Sequence, residues 1–246
     1  MAQTSRFGFA LIPDSEKSEK INRLFDGVSG YYDLMNDVLS AGMHRIWKRQ
    51  LVWLAAAAKS EKWLDLACGS GDIAALLGAG LDASVRPQIT LADPSGAMLE
   101  KSRQRFCASG DLHYAQCPAE NLPFADASFD GITCGFGMRN FTSIADAASE
   151  VRRVLKPGGR ALFLEFTPPP PGRSLYRNYL LRGLPAIGAR IAGDRASYRY
   201  LGESIIAHPP PEQIAAMLQQ AGLEFVDWIA LAGGIVAIHR ARRACW

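Results

Sequence analysis

The chain is 246 residues long, close to the upper size for a single hydrophobic core, so one elaborated domain is expected. Hydrophobic residues make up 48% and charged residues 21%, a balance that excludes intrinsic disorder and leaves ample apolar material for a core. A net charge of +3 is too small to point to nucleic acid, and the longest apolar run, residues 51–58, is too short to cross a bilayer. Residues 1–10 hold one arginine and no apolar centre, so they do not read as a secretory signal. Five cysteines (Cys68, Cys107, Cys117, Cys134, Cys245) form an odd set with no CxxC pair. That argues against a disulfide framework or a metal site and suits a reducing, cytoplasmic compartment.

No internal repeat is visible, which excludes solenoids and propellers. Residues 14–59 read as helices. Glu16, Lys17, Glu19 and Lys20 alternate in sign ahead of Ile21, Leu24, Phe25 and Val28, and residues 46–58 are apolar and alanine-rich. From Trp63 the pattern changes to short apolar runs (63–67, 88–92, 112–117, 129–134, 160–166) alternating with helical stretches (73–81, 97–108, 144–155). Such alternation predicts βαβ units in a mostly parallel, doubly wound sheet with ligand sites at the carboxyl ends of the strands.

After Phe166 the alternation stops at Pro168, Pro169, Pro170 and Pro171, a stiff connector. Residues 168–208 then carry six arginines and two acids, a net +4 that exceeds the +3 of the whole chain, interleaved with tyrosines and aliphatics. This composition suits a lid resting on anionic lipid headgroups. A helix over 211–221 ends at Gly222, and 225–231 and 235–239 form a closing hairpin around Ala232-Gly233-Gly234. The expected divisions are a helical extension (1–60), a cofactor-binding core (61–166), a lid (167–208) and a last helix with hairpin (209–246).

The first predicted strand runs into Cys68-Gly69-Ser70-Gly71-Asp72 and then a helix. Glycines at such a turn let the backbone approach a ligand, and a helix N-terminus offers unpaired N–H groups. Asp93, 22 residues after Gly71 and just past the second strand, is placed to accept both hydroxyls of a ribose. Gly69-Ser70-Gly71-Asp72-Ile73-Ala74 also fits a nicotinamide-binding turn. Three features favour S-adenosylmethionine: Asp65 inside the first strand, placed to meet an ammonium group; the turn Leu155-Lys156-Pro157-Gly158-Gly159; and a terminal hairpin that supplies the reversed last strand of a seven-stranded, Rossmann-like class I methyltransferase sheet.

The flanking segments are more distinctive. Tyr32-Asp33-Leu34-Met35-Asn36-Asp37, His44-Arg45-Ile46-Trp47-Lys48-Arg49, Phe136-Gly137-Met138-Arg139-Asn140, Tyr198-Arg199-Tyr200-Leu201-Gly202-Glu203-Ser204-Ile205 and Gly233-Gly234-Ile235-Val236-Ala237-Ile238-His239-Arg240 resemble the UbiE-type C-methyltransferases of ubiquinone and menaquinone biosynthesis. The resemblance implies methylation of a ring carbon on a polyprenylated hydroquinone, of the demethylmenaquinol or 2-polyprenyl-6-methoxy-1,4-benzoquinol type. It implies Ser70 and Asp93 as cofactor contacts beside Gly69 and Gly71, with Pro118, Ala119 and Gly135 at the adenine and strand-end positions. Pro118 replaces a usual polar residue and Gly135 a usual serine, which predicts a reshaped or weakened cofactor pocket.

An aromatic carbon attacks a sulfonium methyl readily only when a ring hydroxyl ionises, and a phenol of pKa about 10 supplies little phenolate at neutral pH. Arg139 is the expected electrostatic stabiliser, with Asn140 and Tyr32 orienting the hydroxyl and Asp37 in reserve. Arg139-Asn140-Phe141-Thr142 also reads as a helix cap. His208, ahead of three prolines, reads as a loop residue. Alternative readings are a weakly active cofactor-binding scaffold of a quinone-biosynthesis complex and a methyltransferase for another phenol; self-association stays open.

Overall fold

A computed structural model describes residues 4–28, 32–57, 61–79, 87–107, 112–170 and 172–245, with all their side chains except those of Phe25, Val28, Tyr32 and Asp33. The chain opens on two strands the composition did not signal, β1 (Thr4–Phe7) and β2 (Ala10–Pro13), paired antiparallel across Gly8 at φ +58°. Each is four residues long and half exposed, too short for alternation to register. What holds the hairpin is tertiary: Phe7 stacks on Tyr200 with ring centroids 4.3 Å apart. Helices α1 (Asp14–Val28), α2 (Tyr32–Ser40) and α3 (His44–Ala55) follow. In α1, Glu16–Lys20 and Glu19–Arg23 pair at i,i+4 on the outer face while Ile21 is buried.

The central sheet comprises β3 (Lys62–Leu66), β4 (Gln88–Asp93), β5 (Leu112–Gln116), β6 (Phe129–Gly135), β7 (Leu155–Phe166), β8 (Leu223–Leu231) and β9 (Val236–Arg243), in the order β5-β4-β3-β6-β7-β9-β8. The first five are parallel, and β9 runs antiparallel to both β7 and β8. Between them lie α4 (Asp72–Gly78), α5 (Gly96–Arg105) and α6 (Ile144–Val154); residues 80–81 and 108 of the expected helices lie outside the described residues. Leu155 pairs with Phe129 and Arg160 with Gly131, so the expected turn over 156–159 is looped out of β7, with Gly158 at φ +77°. The chain proceeds from β3 through β4 to β5, then returns to place β6 on the other side of β3. This reversal opens a crevice at the carboxyl ends of β3 and β6.

Period-two alternation sends Trp63, Leu91, Leu162 and Ile238 to one face of the sheet, under α2, α3 and α4. Leu64, Leu66, Ile132 and Phe163 go to the other, under α6 and α10 (Pro211–Gln220). The segment after β7 forms α7 (Ser174–Asn178), a π-helical turn (Tyr179–Gly183), α8 (Leu184–Ile191) and α9 (Arg195–Ala207). Its Leu180, Leu184, Tyr198 and Ile205 are fully buried in the same cluster as Trp63 and Ile238, so its inner face is continuous with the core. Gly202 is the point of closest approach: a Cβ there would lie 2.2 Å from the Leu180 carbonyl oxygen.

Backbone cannot yield as a side-chain end can. Gly202→Ala is expected to destabilise the protein by about 1–3 kcal/mol. Calorimetry should show this as a Tm loss of about 2–4 °C per kcal/mol; an unchanged Tm would refute the close packing of α9 on the π-helical turn.

Candidate active site

β3 ends at Leu66, and the chain turns through Ala67 (φ +51°), Gly69 (φ +54°) and Gly71 (φ +82°) into α4. Gly71 is confined by its neighbours: a Cβ there would lie 2.7 Å from both the Phe106 ring and Ser102 Oγ. The loop is pinned from two sides. Gly69 N donates to Asp93 Oδ2 at 2.9 Å, and Cys68 N donates to the Ala92 carbonyl at 3.1 Å. Asp72 at the head of α4 binds Lys48 at 2.6 Å and also Arg105. Burial works against its charge, but Lys48 and Arg105 hold the carboxyl down at about 2.

Above this loop is a cavity of about 710 Å³ counted out to its open mouth. Leu66, Ala67 and Gly69 form one wall, Asp93, Pro94 and Met98 the next, and Cys117, Pro118, Ala119 and Glu120 the far end. Phe136, Gly137, Asn140, Phe141 and Thr142 come from the β6 end, and Ser18, Ile21 and Asn22 of α1 close the top. Asp93 is 7% exposed; its Oδ1 accepts from Ser95 N and its Oδ2 from Gly69 N, both at 2.9 Å. Burial pushes its carboxyl up to about 6 against those two hydrogen bonds. A carboxylate held rigidly by backbone N–H groups keeps lone pairs for two vicinal hydroxyls, and Met98, Cys117, Pro118 and Ala119 make an apolar slot for a flat heterocycle. These residues fit an adenosyl group.

The predicted cofactor residues therefore divide. Gly69, Asp93, Pro118 and Ala119 line the cavity; Asp65, Ser70, Gly71 and Gly135 do not. Asp65 lies fully buried beneath the loop, its Oδ2 accepting from Ala74 N at 3.2 Å and its Oδ1 from Thr133 Oγ1 at 3.1 Å. Both oxygens are engaged there, away from any ammonium in the cavity, and burial raises its carboxyl to about 7. Ser70 is buried with its carbonyl accepting from Arg105. At Gly135 a Cβ would lie 2.4 Å from Ile73 Cδ1, so a serine would collide with α4 rather than reach the cavity.

Arg139 and Asn140 sit in a 3-10 turn (Met138–Asn140) just past β6. The Arg139 side chain is 3% exposed and its Nη1 bonds Glu165 Oε1 at 2.8 Å and the Phe136 carbonyl at 2.5 Å. Glu165 Oε2 also accepts from Arg139 N at 3.1 Å. The guanidinium is thus matched to a buried carboxylate and does not line the cavity above the glycine loop. Asn140 does line that cavity, and its Oδ1 accepts from Tyr200 OH at 2.9 Å. The cap of α6 is Ser143, which accepts from Asp146 N, so Arg139-Asn140 is not a helix cap. Tyr32 opens α2, but its side chain lies outside those described; Asp37 pairs with Arg45 at 2.8 Å.

A second cavity, about 1440 Å³ counted out to solvent, lies behind Phe141 and Thr142, which line both. Lys17, Arg139 and His208 face into it. Lys17 was not expected at a site, and His208 lies just past α9 in extended backbone, a loop position as expected, but is buried. A signal existed for Lys17: it stands four residues before Ile21, on the apolar stripe of α1 rather than its charged face.

This sheet order, with its reversed last hairpin and a carboxylate-bearing cavity at the switch point, defines the class I methyltransferase fold. The [4+2]-cyclase SpnF superposes with a TM-score of 0.68 at 16% identity, over 93% of this chain and 97% of that one. A phosphoethanolamine N-methyltransferase 2 from Haemonchus contortus, solved with S-adenosyl-L-methionine, superposes with a TM-score of 0.62 at 14% identity, over 80% of this chain and 52% of that one. At such identities the fold alone is shared. The chain belongs to the ubiE/COQ5 methyltransferase family, whose profile matches residues 14–243. It is 43% identical over 244 residues to the ubiquinone/menaquinone biosynthesis C-methyltransferase UbiE of Pseudomonas fluorescens (strain SBW25), covering 96% of this chain and 94% of that protein. It is 41% identical to the UbiE of Ralstonia pickettii (strain 12J), over 99% of this chain and 100% of that protein. The chain is a C-methyltransferase.

Asp93→Asn is expected to weaken adenosylhomocysteine binding about 10- to 100-fold by titration calorimetry, the worth of hydrogen bonds to a charged acceptor. Because burial holds the Asp93 proton up to about pH 6, wild-type affinity should rise with pH through that value and level off above it. A flat profile between pH 5 and 8 would exclude Asp93 as the ribose acceptor.

Proposed function

We propose that the chain transfers the methyl group of S-adenosylmethionine to a ring carbon of a polyprenylated hydroquinone, a step of ubiquinone/menaquinone biosynthesis. The acceptor is a demethylmenaquinol, a 2-polyprenyl-6-methoxy-1,4-benzoquinol, or both. The observation that carries this reading is the pair of cavities that meet at Phe141 and Thr142, one suited to a nucleoside and the other larger and lined by cations. When bound, the cofactor supplies an electrophilic methyl. The protein's part is to hold carbon and methyl in line and to favour the ring anion.

Arg139, matched by Glu165, acts as a positioning residue: its bonds to Glu165 and the Phe136 carbonyl fix the turn that carries Phe136, Gly137 and Asn140 into the cofactor cavity. Asn140, anchored by Tyr200, and Tyr32, at the start of α2, orient the ring hydroxyl. Ser70, Gly71, Asp65 and Gly135 support the cofactor by shaping the loop and α4 rather than by touching the ligand.

The acceptor's tail resides in a bilayer, and among the described residues no helix is long and apolar enough to cross one. Access through a peripheral contact at the cytoplasmic face is supported by the outer surface of the 168–208 segment. There Arg173, Arg177, Arg182, Arg190, Arg195 and Arg199 are all exposed, with Leu175 at 85% and Ile191 at 54%.

Two measurements check these assignments. Purified protein given S-adenosylmethionine and chemically reduced short-tailed demethylmenaquinol or its benzoquinol counterpart should yield a product one methyl heavier by mass spectrometry; no gain on either quinol would overturn the reading. Flotation should recover the protein with anionic liposomes and much less with neutral ones, the difference shrinking as salt is raised; equal failure to bind both would remove the membrane contact.

A further inference from the structure

The second cavity holds two ionisable groups that neither the fold nor the cofactor explains. Lys17 is 4% exposed although it carries an ammonium, a group that is costly to bury without partners. It donates one hydrogen bond, to the Phe141 carbonyl, and among the described residues forms no ion pair; burial pushes its pKa down, and Glu120 and Asp14 oppose that from a distance. An ammonium has three donors, so two remain for whatever occupies the cavity that Lys17 lines. Phe141 itself lines both cavities, so this charge is bonded to the wall they share. Arg139, by contrast, already has its charge matched by Glu165.

His208 is the second group. It is 7% exposed at the carboxyl end of α9, held there by its N–H to the Ile205 carbonyl and followed by Pro209 and Pro210. Its ring makes no hydrogen bond among the described residues and lines the same cavity. The charged and titratable groups that act on it are Glu165, Arg139, His239 and Lys17; burial dominates and brings the ring down to about 4. At neutral pH it is an unprotonated imidazole with a free acceptor nitrogen.

Resting on the reading of this cavity as the acceptor site, we infer that Lys17 and His208 together ionise the acceptor's ring hydroxyl, Lys17 holding the oxygen as its charge develops and His208 taking the proton. Each group supplies what the other lacks. So weak a base does not deprotonate a phenol unaided, but an ammonium beside the oxygen lowers the phenol's own pKa. The imidazolium that results is within reach of the Glu165 field. The sequence of events balances. The hydroxyl proton passes to His208, and the ring carbon ortho to the oxygen uses the released electron density to bond the methyl carbon. The methyl–sulfur bond breaks with its electron pair left on sulfur, giving a neutral thioether. The ring C–H proton then leaves to solvent, aromaticity returns, and His208 gives its proton back to the oxygen, so one proton is released per methyl transferred. Phe9, Ile206 and Met217 supply apolar wall for the first part of a prenyl tail.

The test compares Lys17→Met, Lys17→Arg and His208→Phe with wild type. Removing either group should lower kcat/KM on the short-tailed quinol about 100-fold or more, in line with general-base and charge-stabilising contributions. Lys17→Arg should restore part of the loss. Adenosylhomocysteine affinity should stay unchanged in all three, which a collapse of α1 would not allow. An independent readout is the absorbance of a prenylated 4-nitrophenol added to the protein. Its bound form should be more ionised at pH 7 than in water with wild type and His208→Phe, and lose that excess with Lys17→Met. Folded variants that keep wild-type turnover and the wild-type nitrophenol spectrum would overturn the assignment while leaving the quinol reading intact. Should Lys17→Met not fold, the Lys17→Arg and His208→Phe rates decide. A wild-type protein that methylates neither quinol would remove both.

Discussion

The turn that follows β6 and the end of the neighbouring strand β7 each deliver one half of a buried ion pair. Glu165, 2% exposed on β7, accepts from the Arg139 guanidinium, from Arg139 N and from Phe166 N. Removing one member of such a pair costs about 3–5 kcal/mol, because the other is left charged in a medium that cannot solvate it. The geometry that depends on it is local but central. The turn from Phe136 to Thr142 forms the partition between the two cavities, and Phe136 holds a strained φ of +61°. Without a fixed partner beneath it, that partition would have no reason to keep one shape.

Helix α1 closes the site from the opposite side. Its inner face reaches both cavities, with Lys17 in the larger and Ser18, Ile21 and Asn22 in the smaller. Burial and neighbouring charge together shape the chemistry of each ionisable group around the glycine loop. Asp72, bonded to two cations, is held ionised, whereas at Asp93 and Asp65 burial outweighs the hydrogen bonds they accept and holds both toward the neutral form.

The glycine loop, Asp93, Pro118 and Ala119 were legible because their positions follow from strand ends, and strand ends follow from local apolar runs. Ser70, Gly71 and Gly135 were legible as special residues but not as what they do. A glycine in sequence does not say whether it makes room for a ligand or for Phe106 and Ile73. Arg139 was expected to face a substrate as a free charge; its partner, 26 residues away on the neighbouring strand, becomes adjacent only when β6 and β7 pair.

By itself the sequence determined the alternation of strand and helix, the reversed closing hairpin, the family and the glycine loop, all encoded within spans of a few to some twenty residues. Only the tertiary structure decided which charges are matched by a partner and which are buried without one. Lys17 and His208 are nearly two hundred residues apart in sequence and share one cavity. Burial and partnership depend on what the folded chain brings alongside, and no local pattern carries that information.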